Sequence, residues 1–291
     1  MRSKSDLALH RAKSHGLGAY RFFELAMDEK MQYRRKLEID LRRALALGEF
    51  SLVYQPQVDL LQNKVTGFEA LLRWQSPIRG AVSPLEFIQV AEETGISTPI
   101  GEWVLRTACL EAASWSGAQK VSVNVSAIQF KSPNLVATIM STLGESGLDP
   151  QRLELEVTES VMLDAGGTAL AVLQNIREIG VRVALDDFGI GYSSLGYLRD
   201  FPFDRIKIDQ SFVRGTANDA VGRAIVRAVA SLGQSLGIAT VAEGVETEEQ
   251  VARVASDGCT DVQGYLISRP MPPREIDGFL RSRNENIPRG A

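Results

Sequence analysis

Histidine is nearly missing from this chain. Of 291 residues only His10 and His15 are histidine, and both fall within the first fifteen positions. The periodic body of the sequence has none, which disfavours Ser-His-Asp catalysis, histidine-rich phosphohydrolase sites and His-ligated zinc. Any base must be a carboxylate, a lysine or a water activated by a metal. Cysteine is as scarce: Cys109 and Cys259 lie in a helix-like stretch and just before a strand, with no partner nearby, so a reduced, cytoplasmic domain is expected. Any membrane attachment would come from segments outside this sequence. No apolar run approaches the roughly 18 residues of a spanning helix, and no N-terminal signal segment is visible. A net charge of −4 argues against a nucleic-acid polymer as partner, while a small anion held through metal ions remains compatible. The P-loop ending GKS or GKT is also absent.

What is present is a globular composition, 44% apolar and 23% charged, in one large domain or two ordinary ones. From residue 48 onward, β-rich runs at 51–55, 64–73, 121–126, 153–158, 182–187, 205–209, 239–243 and 261–265 alternate with longer helix-patterned stretches. Eight strands interleaved with helices predict an α/β fold, a (β/α)8 TIM-type barrel spanning about 48–285. Ser83-Pro84 with Glu86, and Thr247 with Gln250, read as capping boxes. Gly117, Gly147, Gly180, Gly237 and Gly258 stand where left-handed helix caps belong. Before the barrel, 24–47 reads as an amphipathic linker helix carrying Met27, Met31, Leu37, Leu41 and Leu45, and 1–23 as the tail of an upstream domain.

Acidic and amide side chains recur at the downstream ends of these runs: Glu69, Asn124, Glu156, Asp186, Asp187 and Glu243, with Lys207 and Gln263 in equivalent places. In a parallel barrel all strands end on one rim, where the active site is built. Carboxylates crowded there repel unless something positive sits among them, and an all-oxygen donor set suits Mg2+ or Mn2+. Singly each residue has a bland reading: a solvated strand face for Asn124, a helix cap for Asp186-Asp187, a local ion pair for Lys207 and Asp209. Glu159 and Glu246 read best as hydrogen-bonding loop backbone. Gln55, Arg73 and Trp74 are candidates for a substrate pocket, and 188–196 for a mobile loop beside Asp187. Jointly these residues predict a two-metal site for phosphoryl-ester chemistry.

The segments YQP at 54–56, GFEALLRW, VNVSAIQF, ELEVTES, DDFGIGYSSLGYL, KIDQSFV, VAEGVETEEQ and QGYLISRP, in this order, resemble the EAL-domain phosphodiesterases from about residue 48 to 275. The resemblance implies a modified (β/α)8 barrel that hydrolyses cyclic di-GMP to linear pGpG with two Mg2+ or Mn2+ ions. It implies that Glu69, Asn124, Glu156 and Asp186 hold one metal and that Asp186 and Asp187 serve the second. It implies that Glu243, also a metal ligand, and Lys207 flank the attacking water, with Glu243 as general base. Gln55, Arg73, Asp209 and Gln263 match substrate or water contacts; Glu159 and Glu246 match residues that steady the DDFG loop. A homodimer is implied as well. LALHRAKSHGLGAYRFF resembles the end of a GGDEF domain, without any GGDEF signature, so no cyclase activity is expected. Ile190 departs from the threonine common in the loop, Ile128 from a polar or basic residue and Gln89 from proline; none removes a metal ligand. Two other readings remain: a receptor that binds cyclic di-GMP without cutting it, and an enolase-like Mg2+ lyase with similar carboxylate endings.

Overall fold

Runs in which apolar and polar residues alternate, such as Arg205–Ile208, become strands because a strand sends successive side chains to opposite faces. The computed structural model describes residues 25–161, 167–190, 201, 203–215 and 220–285. In chain order these hold α1 (Leu25–Ala44), β1 (Phe50–Asp59), β2 (Lys64–Ser76), β3 (Gly80–Val82), α2 (Pro84–Thr94) and α3 (Ser97–Ser114). Next come β4 (Lys120–Asn124), α4 (Ala127–Phe130), α5 (Leu135–Ser146), β5 (Leu153–Thr158), α6 (Gly167–Glu178), β6 (Arg182–Phe188) and β7 (Arg205–Ile208). The last are α7 (Gln210–Val213), α8 (Ala220–Leu236), β8 (Ala239–Ala242), α9 (Glu248–Ser256), β9 (Asp261–Gln263) and α10 (Pro273–Glu285). None of the described helices is long and apolar enough to cross a membrane.

The described residues divide into two compact units, one of 25–50 and 74–96, the other of 51–73 and 97–285. In the first, α1 buries Leu37, Leu41 and Ala44, while Met31 is 41% exposed. The apolar stripe keeps Leu37 and Leu41 of the predicted spacing and closes on Ala44 in place of Leu45, which lies beyond the helix end. Arg79 pairs with Asp40 at 2.8 Å, and β3 extends the end of β2 as an antiparallel pair that the sequence reading missed. Trp74 is in this unit's core, 1% exposed, packed edge-on against Phe87 with ring centroids 5.6 Å apart. Its indole N–H donates to Glu49 at 2.8 Å. A buried, satisfied indole is no pocket wall, so that expectation for Trp74 is corrected.

The second unit is a closed barrel in the order β1-β9-β8-β7-β6-β5-β4-β2, sealed by β1–β2 pairing. Around the barrel the pairings β2–β4, β4–β5, β5–β6, β6–β7, β7–β8 and β8–β9 are parallel, whereas β1 runs antiparallel to β9. The uniform direction of a plain (β/α)8 barrel thus fails at one strand. The cause is local: only residues 60–63 join β1 to β2, too few for a crossover, and Asn63 takes the left-handed conformation (φ 50°) that a tight reversal needs.

Helix caps divide along the same lines. Thr247 forms the full reciprocal box with Gln250. Ser83 makes no side-chain cap although Pro84 opens α2, and the Glu86 carboxylate accepts a hydrogen bond from Tyr33. Thr247→Ala is expected to cost about 1 kcal/mol and Ser83→Ala close to nothing, read from urea-denaturation midpoints. Gly147, Gly180, Gly237 and Gly258 have positive φ, as expected of C-terminal caps; Gly117 does not and is a plain turn residue.

Candidate active site

Side chains two apart on a strand share a face, and in the barrel interior this stacks two polar layers. β5 contributes Glu154 and Glu156, β7 Arg205 and Lys207, β4 Ser122 and Asn124, and β9 Asp261 and Gln263. The alternate residues Val123, Leu155, Ile206 and Ile208 are buried and apolar. The sequence therefore writes a charged interior with the same period-two code that elsewhere writes a core.

In the upper layer Lys207, 1% exposed, is the hub. Its ammonium lies 2.7 Å from Glu156, 2.8 Å from Glu243, 3.2 Å from Asp186 and 3.6 Å from Glu69. Asn124 donates to one Glu69 oxygen at 2.8 Å and Gln263 to the other at 2.5 Å. Burial by itself would make Lys207 give up its proton, but the Asp186, Glu156, Glu243 and Glu69 carboxylates outweigh that and hold its pKa well above the ordinary lysine value. The acids respond unequally. Glu69, although buried, is held below its usual value by Lys207 and by the two amides. Burial and the neighbouring Glu69 push Glu156 well up, and burial, only partly offset by Lys207, lifts Glu243 to about 8. One ammonium among four carboxylates leaves the cluster short of positive charge.

Asp186 and Asp187 are neighbours in sequence and on a regular strand would face opposite ways. Between Leu185 and Phe188 the β6–β7 register slips, and Asp187 adopts φ 55°. This bulge turns both acids to the same rim, where carboxylate oxygens of Asp186, Asp187 and Glu243 all lie within 4.8 Å of one another. Asp187 itself is lifted to about 6 by burial and by Asp186. Hard oxygen donors at that spacing, together with a buried Glu156 oxygen that has no hydrogen-bond partner among the described residues, fit divalent cations such as Mg2+ or Mn2+.

A cavity of about 190 Å3 opens over these groups, lined by Gln55, Glu69, Asp186, Lys207, Glu243 and Gln263. Gln210, Arg214 and Tyr265 also line it and were not foreseen. Each sits in or beside a foreseen motif, in KIDQ, SFVR and QGY, but Gln210 opens a four-residue helix and Arg214 and Tyr265 lie outside helix and strand, so no periodicity says which way these side chains point. Gly244, at φ 67°, turns the chain so closely over Gln210 that a Cβ would meet that side chain at 2.5 Å.

The remaining expected residues lie at the margin. Arg73 is half-buried, hydrogen-bonds the Leu72 carbonyl and is not among the cavity-lining residues. Asp209 accepts from the Ser211 N–H as the N-cap of α7, which accounts for its place in RIKIDQ without an ion pair to Lys207. Glu159 accepts from the Gly189 N–H at 3.3 Å, next to the DDFG turn. Glu246 is exposed and pairs with Arg214 at 2.9 Å on the cavity rim. Ile190 is 60% exposed; the rest of the loop, 191–196, lies outside the described residues.

Residues 38–270 match the family model of the EAL domain. The chain is 41% identical over 276 residues to the bifunctional diguanylate cyclase/cyclic di-GMP phosphodiesterase MucR of Pseudomonas aeruginosa, covering 94% of this chain and 40% of that protein. It is 39% identical over 274 residues to the cyclic di-GMP phosphodiesterase PA2567 of the same organism, covering 93% of this chain and 46% of that protein. Among solved structures, the PaMucR phosphodiesterase in complex with c-di-GMP superposes with a TM-score of 0.80 at 41% identity, covering 83% of this chain and 99% of that one. The chain spans between 33% and 46% of the length of the curated relatives it matches.

Proposed function

From its membership of the EAL-domain family, we propose that this chain is a metal-dependent phosphodiesterase that hydrolyses cyclic di-GMP to linear pGpG. The observation that carries the reading is the undiminished acid cluster around Lys207. A receptor has no need for four carboxylates held within 3.6 Å of one buried ammonium, since clustering like charges costs free energy that binding alone does not recover.

In this reading Glu69, Asn124, Glu156 and Asp186 hold one cation, and Asp186 and Asp187 a second, with Glu243 beside them. Two such ions supply a lowered pKa for water and charge neutralisation at the phosphoryl oxygens. The chain's own groups do the rest. Glu243 accepts the proton of the attacking water as its oxygen bonds to phosphorus in line with the departing 3′-oxygen. The P–O3′ bond breaks, that oxygen takes up a proton, and the 5′-phosphate stays on pGpG. Lys207 donates to the phosphoryl oxygens as their charge grows. Gln55 and Gln263 contact the substrate from the cavity wall, with Arg73 and Asp209 at its edge. Glu159 and Glu246 hold the neighbouring loops. The working form is read as a cytoplasmic homodimer, with residues 1–23, outside the described residues, as the end of an upstream GGDEF domain.

Incubation of the chain with cyclic di-GMP and Mn2+, followed by chromatography beside a chelator control, is expected to give pGpG only without chelator. Intact dinucleotide with tight binding would identify a receptor instead. Cation binding must also displace the proton that burial holds on Glu243 up to about pH 8. Mn2+ affinity is therefore expected to rise at least about tenfold per pH unit from about 6 toward 8 as the Glu243 proton is released, with Glu156, which burial and Glu69 also raise, adding to the slope. Calorimetry in two buffers of different ionisation enthalpy measures the protons released. A flat pH profile would contradict a protonated Glu243.

A further inference from the structure

Beneath the site lies a buried arginine that the reaction described above does not use. Arg205 is 3% exposed and sits two residues before Lys207 on β7. Glu154 and Asp261 stand 3.6 and 3.7 Å away, beyond hydrogen-bonding distance. The shortest contact is instead with an uncharged amide: Nη1 donates to Gln57 Oε1 at 2.6 Å. A guanidinium placed only to balance charge would fork onto a carboxylate. Gln57, fully buried, then donates through Nε2 to Gln263 Oε1 at 3.1 Å, and Gln263 Nε2 donates to Glu69 at 2.5 Å.

The polarity of this chain is forced by its ends. Arginine is donor-only and an ionised glutamate acceptor-only, so both amides between them have one orientation that satisfies every bond. If Gln263 were flipped, its oxygen would face the Glu69 carboxylate and also the Gln55 Oε1, to which Nε2 now lies at 3.3 Å. We propose that Arg205 and Gln57 are positioning residues that lock the Gln263 amide, and through it the Glu69 carboxylate, in the orientation required to receive a divalent cation. The cation-binding half of this proposal rests on the phosphodiesterase reading; the amide-locking half does not.

The two halves are tested separately. In protein labelled with 15N at glutamine side chains and treated with chelator, the Gln263 amide proton facing Glu69 is expected downfield and slow to exchange, its signal assigned by its loss in Gln263→Met. Gln57→Met should return the shift to the ordinary glutamine range and speed exchange. A signal unmoved by Gln57→Met overturns the proposal. Calorimetry with Mn2+ then reads the consequence: Gln57→Met and Arg205→Met should each weaken affinity by about tenfold. The double variant should be no weaker than either single one, because each breaks the same chain. Additive losses, or an affinity within about twofold of the parent in folded Gln57→Met, also overturn it. Should Arg205→Met not fold, Gln57→Met, which leaves the Arg205, Glu154 and Asp261 charges in place, decides alone. A parent that neither binds Mn2+ nor cuts cyclic di-GMP removes the phosphodiesterase reading and with it the cation-binding half, while the amide signal still decides whether Arg205 orients Gln263.

Discussion

Lys207→Met is expected to cost the chelator-treated protein about 3–5 kcal/mol of stability at about pH 8, because it leaves three buried carboxylates and the half-buried Glu243 without their cation. The loss should depend on pH, with a sign that follows from linkage. Without Lys207, which lowers all three, the folded-state pKa of Glu69 rises and those of Glu156 and Glu243, already raised by burial, rise further, so the folded variant binds more protons than the unfolded one. Stability then falls as pH rises through that window and is recovered as pH drops toward the unfolded carboxylate range. Urea denaturation with chelator at about pH 5.5 and about pH 8 is expected to show the larger deficit at the higher pH. Millimolar Mn2+ should recover part of it by supplying positive charge to the same oxygens. An equal deficit at both pH values would show that the lysine acts through packing and not through charge.

Glu243→Gln is expected to lower kcat for cyclic di-GMP by about 10^2–10^4-fold, the range for removing a general base, with little change in KM. Glutamine keeps the shape and an oxygen 2.8 Å from Lys207, so the loss isolates the proton-accepting role. The assay belongs at saturating Mn2+, with affinity measured separately, since Glu243 also stands within 4.8 Å of Asp186 and Asp187. Unchanged turnover at saturation would move the proton acceptor elsewhere, and Asp187, lifted to about 6, is the next acid at the rim.

The residues around Lys207 were legible in advance because two codes coincide. Period-two alternation marks strand faces, and the downstream end of a parallel strand marks the rim. Asn124, Glu156 and Lys207 satisfy both; Glu69 stands mid-way along β2, near the end of its parallel pairing with β4, and Glu243 one residue beyond β8. The lower layer obeys the first code but not the second. Glu154 precedes Glu156 by two residues, Arg205 precedes Lys207 and Asp261 precedes Gln263, so parity alone could have flagged a polar interior running below the site. Gln210, Arg214 and Tyr265 obey neither code.

Taken alone, the sequence determined the strand sites, the absence of histidine chemistry and the set of oxygen donors, because composition and alternation are local properties of the chain. Tertiary structure decided the rest. The reversal of β1 comes from a connection too short to cross the barrel. The common aim of Asp186 and Asp187 comes from a register slip against β7. The displacement of Trp74 from pocket to core comes from Phe50, Phe87 and Glu49 closing around it. The first of these has a local cause that the alternation pattern does not register; in the other two the deciding partner is distant in sequence or lies on a neighbouring strand, and such pairings are settled by packing and hydrogen-bond satisfaction, which no local pattern encodes.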